Sequence, residues 1–240
     1  MSPLRTRRMK RILLKLSGEA LGGNQGHGFK SEILKSIGQQ IRDAVHQEIE
    51  IGLVVGGGNL FRGVQGMSEG LDRNSGDLMG MLATVMNALA LRGVFTSLGL
   101  SVQVQSAFEV GSFVEGFSVF KAREYLSSGN VVIFCGGTGN PFFTTDSAAA
   151  LRAAEIGADL LIKGTKVDGV YDKDPVTNPG AKKYRHLNYQ TVLEKRLAVM
   201  DLTAITLCQE NKIPIRVVDI MDGNPILRLA EGEEIGTLIS

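Results

Sequence analysis

The strongest constraint on the fold is an apolar strand followed by a glycine-rich turn and then a helix, a pattern that recurs along the chain. The strand segments are almost continuously apolar at residues 11–16, 49–55 and 131–134. Strands of this kind are typical of sheets that are covered on both faces. Their alternation with helices over short turns predicts an α/β fold, a three-layer sandwich with a mainly parallel central sheet and helices on both faces.

Helical spacing of apolar residues fills the intervals between these strands. Helices are predicted over residues 31–48, 76–98, 119–126, 145–156, 191–197 and 202–210, and further strands over residues 102–105, 159–163 and 213–218. Ser31 is the expected N-cap of the first of these helices. The Asp168-Gly169 pair between apolar residues predicts a two-residue hairpin, because both turn residues tolerate positive φ.

One face of the helix predicted over residues 76–98 is strongly apolar. It carries Met79, Leu82, Met86 and Leu89 at helical spacing. Because methionine fills irregular apolar gaps, this stripe belongs either to the core or to a subunit interface rather than to a cofactor site.

Composition places the chain among ordinary globular proteins. Hydrophobic residues make up 43% and charged residues 21% of its 240 residues, which excludes collagen, long coiled coils and disorder. The formal net charge of +1 gives no general attraction to nucleic acid or acidic lipid, so any bound anion is held locally. Residues 11–240 contain no linker rich in proline or serine, which predicts a single domain.

Residues 1–10 are basic, and in charge alone they resemble a signal peptide or a nucleic-acid-binding arm. Lys15 and Glu19 interrupt the apolar stretch that follows, and no run approaches the ~18 apolar residues of a membrane span. We therefore expect a flexible, solvated tail, and neither a membrane nor a nucleic-acid partner. Cys135 and Cys208 are far apart and the histidines lack ligand spacing, so we expect reduced thiols, a cytoplasmic location and no structural zinc.

Three turns after predicted strands carry unusual residues, and ligands of open α/β sheets bind at this end of the strands. In the first turn, residues 15–18, Lys15 either meets a phosphate as a point charge or extends from the strand end into solvent. The second turn, residues 56–63, has the sequence GGGNLFRG. Its glycines predict close approach of backbone N–H groups to a phosphate, and Arg62 adds a two-pronged donor.

The third turn, residues 136–146, has the sequence GGTGNPFFTTD and precedes a predicted helix, where N–H groups favour anions. Asp146 is either a first-turn carboxylate stabilised by the helix dipole or a catalytic residue whose charge a lysine or a divalent metal balances. None of the three turns contains GxxxxGK(S/T) or GxGxxG, which excludes a Walker NTPase and an ordinary dinucleotide-binding protein. No histidine lies near a possible nucleophile elbow, so a Ser-His-Asp hydrolase has no support.

Five segments closely resemble the bacterial uridylate kinases, which belong to the amino acid kinase family. They are KLSGEAL at 15–21, GGGNLFRG at 56–63, GDLMGMLATVMNALA at 76–90, GTGNPFFTTDSAA at 137–149 and KVDGVYDKDP at 166–175. The resemblance implies the amino acid kinase fold. It also implies transfer of the γ-phosphoryl group of ATP to UMP with Mg²⁺, as a step in pyrimidine nucleotide biosynthesis.

The resemblance further implies a role for each matching residue. The catalytic residues would be Lys15, Asp146 and Lys163. The ATP-binding residues would be Lys15, Leu16, Ser17, Gly18, Gly58, Arg62, Thr165, Tyr171 and Asp174. The UMP-binding residues would be Gly57, Asp77, Thr138, Gly139, Asn140, Pro141, Phe142, Phe143, Thr144 and Thr145. Structural interpretations remain open for Lys163 at a strand end and for Asp77 at a helix start, and hairpin and turn chemistry remains open for Tyr171 and Asp174.

Regulation and assembly follow from the same resemblance, which implies a homohexamer that GTP activates and UTP inhibits. The segment that would take part in GTP activation consists of Gly23, Asn24, Gln25, Gly26, His27 and Gly28. Two alternatives stay open. One is a kinase of the same fold that acts on a carboxylate or carbamate, and the other is a non-catalytic protein that senses UMP or UTP.

Overall fold

The computed structural model describes residues 9–23, 26–61, 70–197 and 199–240. Predictions for residues 1–8 and for Asn24, Gln25 and Arg62 lie outside these residues. The helices are α1 (Gly18–Leu21), α2 (Ser31–His46), α3 (Arg73–Ser97), α4 (Val119–Ser127), α5 (Thr145–Ile156), α6 (Tyr189–Glu194), α7 (Leu202–Glu210) and α8 (Pro225–Ala230). The strands are β1 (Arg11–Leu16), β2 (Glu50–Val55), β3 (Val102–Ser106), β4 (Glu115–Gly116), β5 (Val131–Cys135), β6 (Leu160–Thr165), β7 (Val170–Tyr171), β8 (Lys183–Tyr184), β9 (His186–Leu187), β10 (Ile215–Asp219) and β11 (Thr237–Ile239).

Nine of these strands form one sheet in the order β4-β3-β5-β2-β1-β6-β10-β11-β9. Neighbouring strands of this sheet pair in parallel, except that β10 and β11 are antiparallel. β1 lies between β2 and β6 near the middle of the sheet. The carboxyl ends of these three parallel strands are therefore adjacent, and so are the turns that follow them.

Alternate residues of the central strands face two separate hydrophobic clusters. Leu14 and Leu16 of β1 belong to the first cluster, whereas Leu13 belongs to the second. Buried residues of α2, α3 and α8 complete the first cluster, and buried residues of α4, α5, α6 and α7 complete the second. The sheet thus lies between two helix layers, which confirms the predicted three-layer α/β sandwich.

α3 is long and apolar enough, by length and composition alone, to cross a membrane. Its most apolar window has a mean hydropathy of 1.6, and 44% of that window is buried. The helix passes this test by its mean hydropathy, although its uncharged run between Asp77 and Arg92, residues 78–91, is shorter than the ~18 apolar residues of a membrane span. In the structure, Leu91 and Phe95 are fully buried in the first cluster, so α3 has the packing of a core helix.

Three local predictions are corrected by the structure. Lys30, not Ser31, occupies the N-cap position of α2. α3 begins at Arg73 instead of Gly76, because the Asp72 carboxylate accepts a hydrogen bond from the Ser75 N–H at 3.0 Å and caps the helix. The third correction concerns the predicted hairpin.

The loop that joins β7 to its partner β8 consists of residues 172–182. The described residues around Asp168-Gly169 form no two-residue hairpin. A Cβ on Gly169 would lie 2.6 Å from Lys183 Cε and 2.7 Å from Thr237 Oγ1. Glycine is therefore required there for close packing and not for a turn with positive φ.

Candidate active site

Two lysines and one aspartate meet at the carboxyl end of the central strands. Lys15 of β1 and Lys163 of β6 are register partners in the parallel pairing of these strands. The Asp146 carboxylate contacts both, with Oδ1 2.6 Å from Lys15 Nζ and Oδ2 3.0 Å from Lys163 Nζ. The side chain of Lys15 is only 9% exposed, so it does not extend into solvent from the strand end.

The local sequence places these three side chains on the same face of the sheet. Each lysine stands two residues after a leucine that belongs to the second cluster, so both lysines face the layer that contains α5. Thr144 is the N-cap of α5, and its Oγ1 accepts a hydrogen bond from the Asp146 N–H at 3.0 Å. This cap fixes Asp146 in the first turn of α5, opposite the strand ends.

Burial and neighbouring charges shift the pKa values of Asp146 and Lys163. Burial alone would raise the pKa of Asp146, but Lys15 and Lys163 bring this pKa below its ordinary value. Burial lowers the pKa of Lys163, and the attraction of Asp146 opposes that shift only in part. The Lys163 ammonium also donates to the carbonyl oxygen of Val199. Because one carboxylate is shared by two ammonium groups, the cluster is electropositive and suited to phosphate groups.

A cavity of about 240 Å³ is formed by the turn after β2, the start of α3 and the turn before α5. Among the residues assigned to UMP, those in its wall are Gly57, Asp77, Asn140, Phe143, Thr144 and Thr145. Gly58, which was assigned to ATP, lines the same cavity. Thr138, Gly139, Pro141 and Phe142 lie in the adjoining turn without lining the cavity. We call this space the acceptor cavity.

Asp77 connects two walls of the acceptor cavity. Its Oδ2 accepts hydrogen bonds from Arg73 Nε and from the Phe142 N–H, both at 2.8 Å. Phe142 has a φ of 73°, which is unusual for a bulky residue and directs its N–H toward Asp77. The contact of Asp77 is therefore with the turn before α5, and stabilisation of a helix dipole does not explain its position in the second turn of α3.

A second cavity, of about 270 Å³, has Lys163 in its wall, and we call it the donor cavity. The residues assigned to ATP that line it are Thr165, Tyr171 and Asp174. The Tyr171 hydroxyl donates to Asp168 Oδ1 at 2.6 Å, and Asp174 Oδ1 accepts from the Val176 N–H at 2.9 Å. Tyr171 and Asp174 thus shape the loop and also form part of the cavity wall.

The glycine turns after β1 and β2 pack directly against each other. A Cβ on Gly18 would lie 2.6 Å from both Gly56 O and Gly58 N, and a Cβ on Gly57 would lie 2.6 Å from Gly80 O in α3. These glycines are therefore required for contact between the two turns and α3, a structural reason beside the predicted approach of a phosphate.

Comparison with known proteins identifies the family. Residues 10–219 match the model of the amino acid kinase family. The chain belongs to this family. It is 54% identical to a uridylate kinase of Methylococcus capsulatus over 230 residues, 96% of each chain. It is 52% identical to a uridylate kinase of Magnetococcus marinus, over 97% of this chain and 96% of that one. A solved UMP kinase from Bacillus anthracis has a TM-score of 0.94 at 39% identity, covering 98% of this chain and 97% of the other.

Asp201 also belongs to the candidate active site of this amino acid kinase, although it was not predicted from the sequence. Its carboxylate caps α7 and accepts hydrogen bonds from the hydroxyl groups of Thr144 and Ser147, the latter at 3.0 Å. An aspartate directly before an apolar helix is a recognisable N-cap signal. The sequence identifies the cap, but only the packing of α7 against α5 reveals the contact with Thr144.

Asn87 is the second residue that the sequence analysis missed. Its Nδ2 donates to Gly56 O at 2.6 Å and to Asn59 Oδ1 at 2.7 Å, and Asn59 Nδ2 donates in return to Asn87 Oδ1 at 3.0 Å. Asn59 Nδ2 also donates to Gly28 O at 2.9 Å. This buried amide pair connects the glycine turn after β2 to α3 and to the described end of the segment assigned to GTP.

The remaining residues that the resemblance assigned to ATP or GTP differ in their burial and in their hydrogen bonds. Leu16 is fully buried in the first cluster, so only its backbone is able to face a ligand. Ser17 is at the N-cap position of α1, and its side chain makes no capping hydrogen bond. Gly23 O accepts a hydrogen bond from Lys166 Nζ at 3.2 Å, and His27 is exposed. Within the described residues, no three His, Cys, Asp or Glu side chains are grouped to hold a metal ion.

Proposed function

We propose that this protein transfers the γ-phosphoryl group of ATP to UMP and forms ADP and UDP. The observation that carries the proposal is the position of Lys15, Asp146 and Lys163 between the two cavities. Lys163 is in the wall of the donor cavity, and Thr145, next to Asp146 in sequence, is in the wall of the acceptor cavity. The similarity to uridylate kinases favours UMP as the acceptor.

The proposed reaction needs no covalent enzyme intermediate, because the UMP phosphate is already a nucleophile near neutral pH. The protein has to bring two anions into line and to stabilise the charge that spreads over the transferred group. Lys15 and Lys163 provide two positive charges against the one negative charge of Asp146. Asp146 holds the two ammonium groups in place and takes no proton.

The assignment of ligand-binding residues is also a proposal. We assign Lys15, Leu16, Ser17, Gly18, Gly58 and Arg62 to the ATP phosphates, and Thr165, Tyr171 and Asp174 to adenosine. We assign Gly57, Asp77 and residues 138–145 to UMP. Both described hydrogen bonds of Asp77 are made by Oδ2, which leaves Oδ1 to accept a ribose hydroxyl.

Mg²⁺, when bound, would neutralise part of the charge on the ATP phosphates. The described residues offer no group of three ligands, and Asp146 is already paired with two lysines. This donor set fits an ion that arrives with ATP and keeps phosphate oxygens and water as its main ligands. Lys15 and Lys163 would bind phosphate oxygens of the nucleotides alongside it.

We further propose a cytoplasmic homohexamer with one domain over residues 11–240, activated by GTP and inhibited by UTP, without membrane or nucleic-acid partners. The exposed apolar stripe on α3 supports assembly, since Leu82 and Met86 are 52% and 57% exposed in the single chain. The proposed role of residues 23–28 in regulation is supported by a hydrogen bond from Asn59 Nδ2 to Gly28 O, because this bond connects the segment to the glycine turn after β2. Both cysteines are buried and free, in keeping with a reducing compartment.

An acceptor panel in an ADP-release assay tests the proposed reaction. We expect turnover with UMP, and none with acetylglutamate, aspartate or carbamate, because the acceptor cavity offers Asp77 to a ribose. Parallel rates with CMP and dUMP measure base and sugar selection, and each is repeated with GTP and with UTP. Turnover with a carboxylate acceptor alone contradicts the proposal, and binding of UMP without any turnover identifies a sensing protein instead.

A further inference from the structure

A cavity of about 740 Å³ lies at the β9 end of the sheet. Its wall contains Lys183, Arg185, His186, Arg216 and Glu234. None of these residues lines the donor or the acceptor cavity. We call it the edge cavity.

Strand register explains why cationic side chains line the edge cavity. Arg216 of β10 pairs with Leu238 of β11, which pairs in turn with His186 of β9, so these three residues form a row across the sheet. The neighbours of Arg216, Ile215 and Val217, are buried in the second cluster, so Arg216 faces the opposite side. The row belongs to neither hydrophobic cluster, and among the described residues none from a helix lines the cavity beside it.

The positive charges of the edge cavity are incompletely balanced. Arg216 Nε is buried without a hydrogen-bond partner, and Arg216 Nη1 donates to Ile235 O at 3.2 Å. Burial lowers the pKa of Arg216, and the charge of Glu234 opposes this shift only in part. Arg185 has no hydrogen bond or ion pair from its side chain to the described residues. A buried donor without a partner is costly, and a bound anion would satisfy it.

Lys183 adds a third cation, and its present partner is weakly bound. Lys183 Nζ lies 2.8 Å from Asp168 Oδ2, but the Asp168 side chain is 54% exposed. An ion pair this exposed contributes little, so Lys183 is able to turn toward an anion. His186 is fixed at the rim by a 2.9 Å hydrogen bond between its Nε2 and Ser240 Oγ.

We propose that the edge cavity binds a phosphate anion of high charge, with Arg185 and Arg216 as the principal ligands. A guanidinium group grips two phosphate oxygens at once, and two such groups with Lys183 match a di- or triphosphate better than a singly charged carboxylate. The edge cavity shares no lining residue with the donor and acceptor cavities, although Lys183 is the register partner of Tyr171 in the pairing of β8 with β7.

NMR of the histidine rings locates the binding event, since the chain has only 3 histidines. Inorganic pyrophosphate is added to the full chain after UMP and a non-hydrolysable ATP analogue have filled the nucleotide cavities. We expect a saturable shift of the His186 ring signal and no shift of His46 at the end of α2. A His186 signal that does not move, or that moves without saturating, overturns the proposal.

Two charge variants decide whether the binding is specific. Arg185→Gln removes an exposed side chain and should weaken pyrophosphate binding by about tenfold or more, the loss expected for a charge-assisted hydrogen bond. Lys35→Gln removes one exposed charge on α2 and should leave the affinity unchanged. Equal affinities of the two variants overturn the proposal. If a nucleoside triphosphate shifts His186 at lower concentration than pyrophosphate, the natural ligand is a nucleotide; the reverse order assigns an inorganic phosphate.

Discussion

Asp146 contacts two ammonium groups with different carboxylate oxygens, which makes it the residue that sets the geometry of Lys15 and Lys163. Without its charge, the two lysines on neighbouring strands repel each other. The cluster would then lose its alignment but keep its donors. We therefore interpret Asp146 as a positioning residue that acts on the transferred phosphoryl group through the lysines.

Asp146→Asn tests this interpretation, because the amide keeps the size of the side chain and removes its charge. We expect kcat to fall by at least about 100-fold, the scale of losing one oriented electrostatic contact in a site of this kind. The dissociation constant of UMP, measured by calorimetry, should change little, since Asp146 does not line the acceptor cavity. Asp222→Asn, at a carboxylate that is 73% exposed, is the control and should keep full activity. Unchanged kcat in Asp146→Asn refutes the assigned role.

The sequence indicated the individual members of this cluster but not their contacts. Lys15 and Lys163 each lie near the end of an apolar strand, and Asp146 lies at the start of a helix, which are local signals. Their meeting depends on the parallel pairing of β1 with β6, which is a relation between distant segments. Asn87 has no local signal at all. Only its hydrogen bonds to Gly56 and Asn59, which are distant in sequence, explain a polar residue at this position of an apolar helix.

At the scale of elements, the turn after β2 packs closely against α3. Gly57→Ala would place a methyl group 2.6 Å from the backbone oxygen of Gly80 and 2.8 Å from Ala83 Cβ. Backbone cannot move aside cheaply, so α3 has to shift. We expect a loss of about 1–3 kcal/mol in the free energy of unfolding, as for other overpacked sites.

The same shift should raise KM for UMP more than KM for ATP, because Asp77 on α3 lines the acceptor cavity and not the donor cavity. Steady-state kinetics and urea denaturation measure the two effects. Gly93→Ala is the matched control in the same helix, since a Cβ there meets nothing within 4 Å. That variant should gain about 0.5–1 kcal/mol from helix propensity. Equal KM changes for both substrates contradict the coupling of the turn to α3.

Element boundaries were predicted correctly at some side-chain caps, whereas the starts of α3 after Asp72 and of α6 after Asn188 were missed. The predicted ranges of α5 and α7 agree with the structure, and Thr144 and Asp201 cap these helices. Strands of two or three residues, such as β4, β9 and β11, were not predicted, because so few residues show no periodicity. The predicted hairpin failed because Gly169 is required by the tertiary contact with Thr237, which no local pattern reveals.

At the scale of the whole molecule, the two sides of α3 lie in different environments. One side of α3 is buried against the sheet, and the other exposes Leu78, Met79, Leu82 and Met86. A contiguous apolar patch on the outside of a folded chain is typical of an interaction surface. The start of α3 also carries Asp77, so a partner seated on this helix would lie close to the acceptor cavity.

Leu82→Lys combined with Met86→Lys tests whether the stripe holds the proposed homohexamer together. Two lysines cannot be buried in an apolar interface without partners, so the mass measured by light scattering should fall below that of six chains. Circular dichroism should stay unchanged, because both side chains are exposed in the single chain. Val176→Lys replaces an apolar residue that is 82% exposed elsewhere, and it should leave the mass intact. If the double variant keeps the mass of the unmodified protein, α3 does not form the interface, and its exposed stripe needs another explanation.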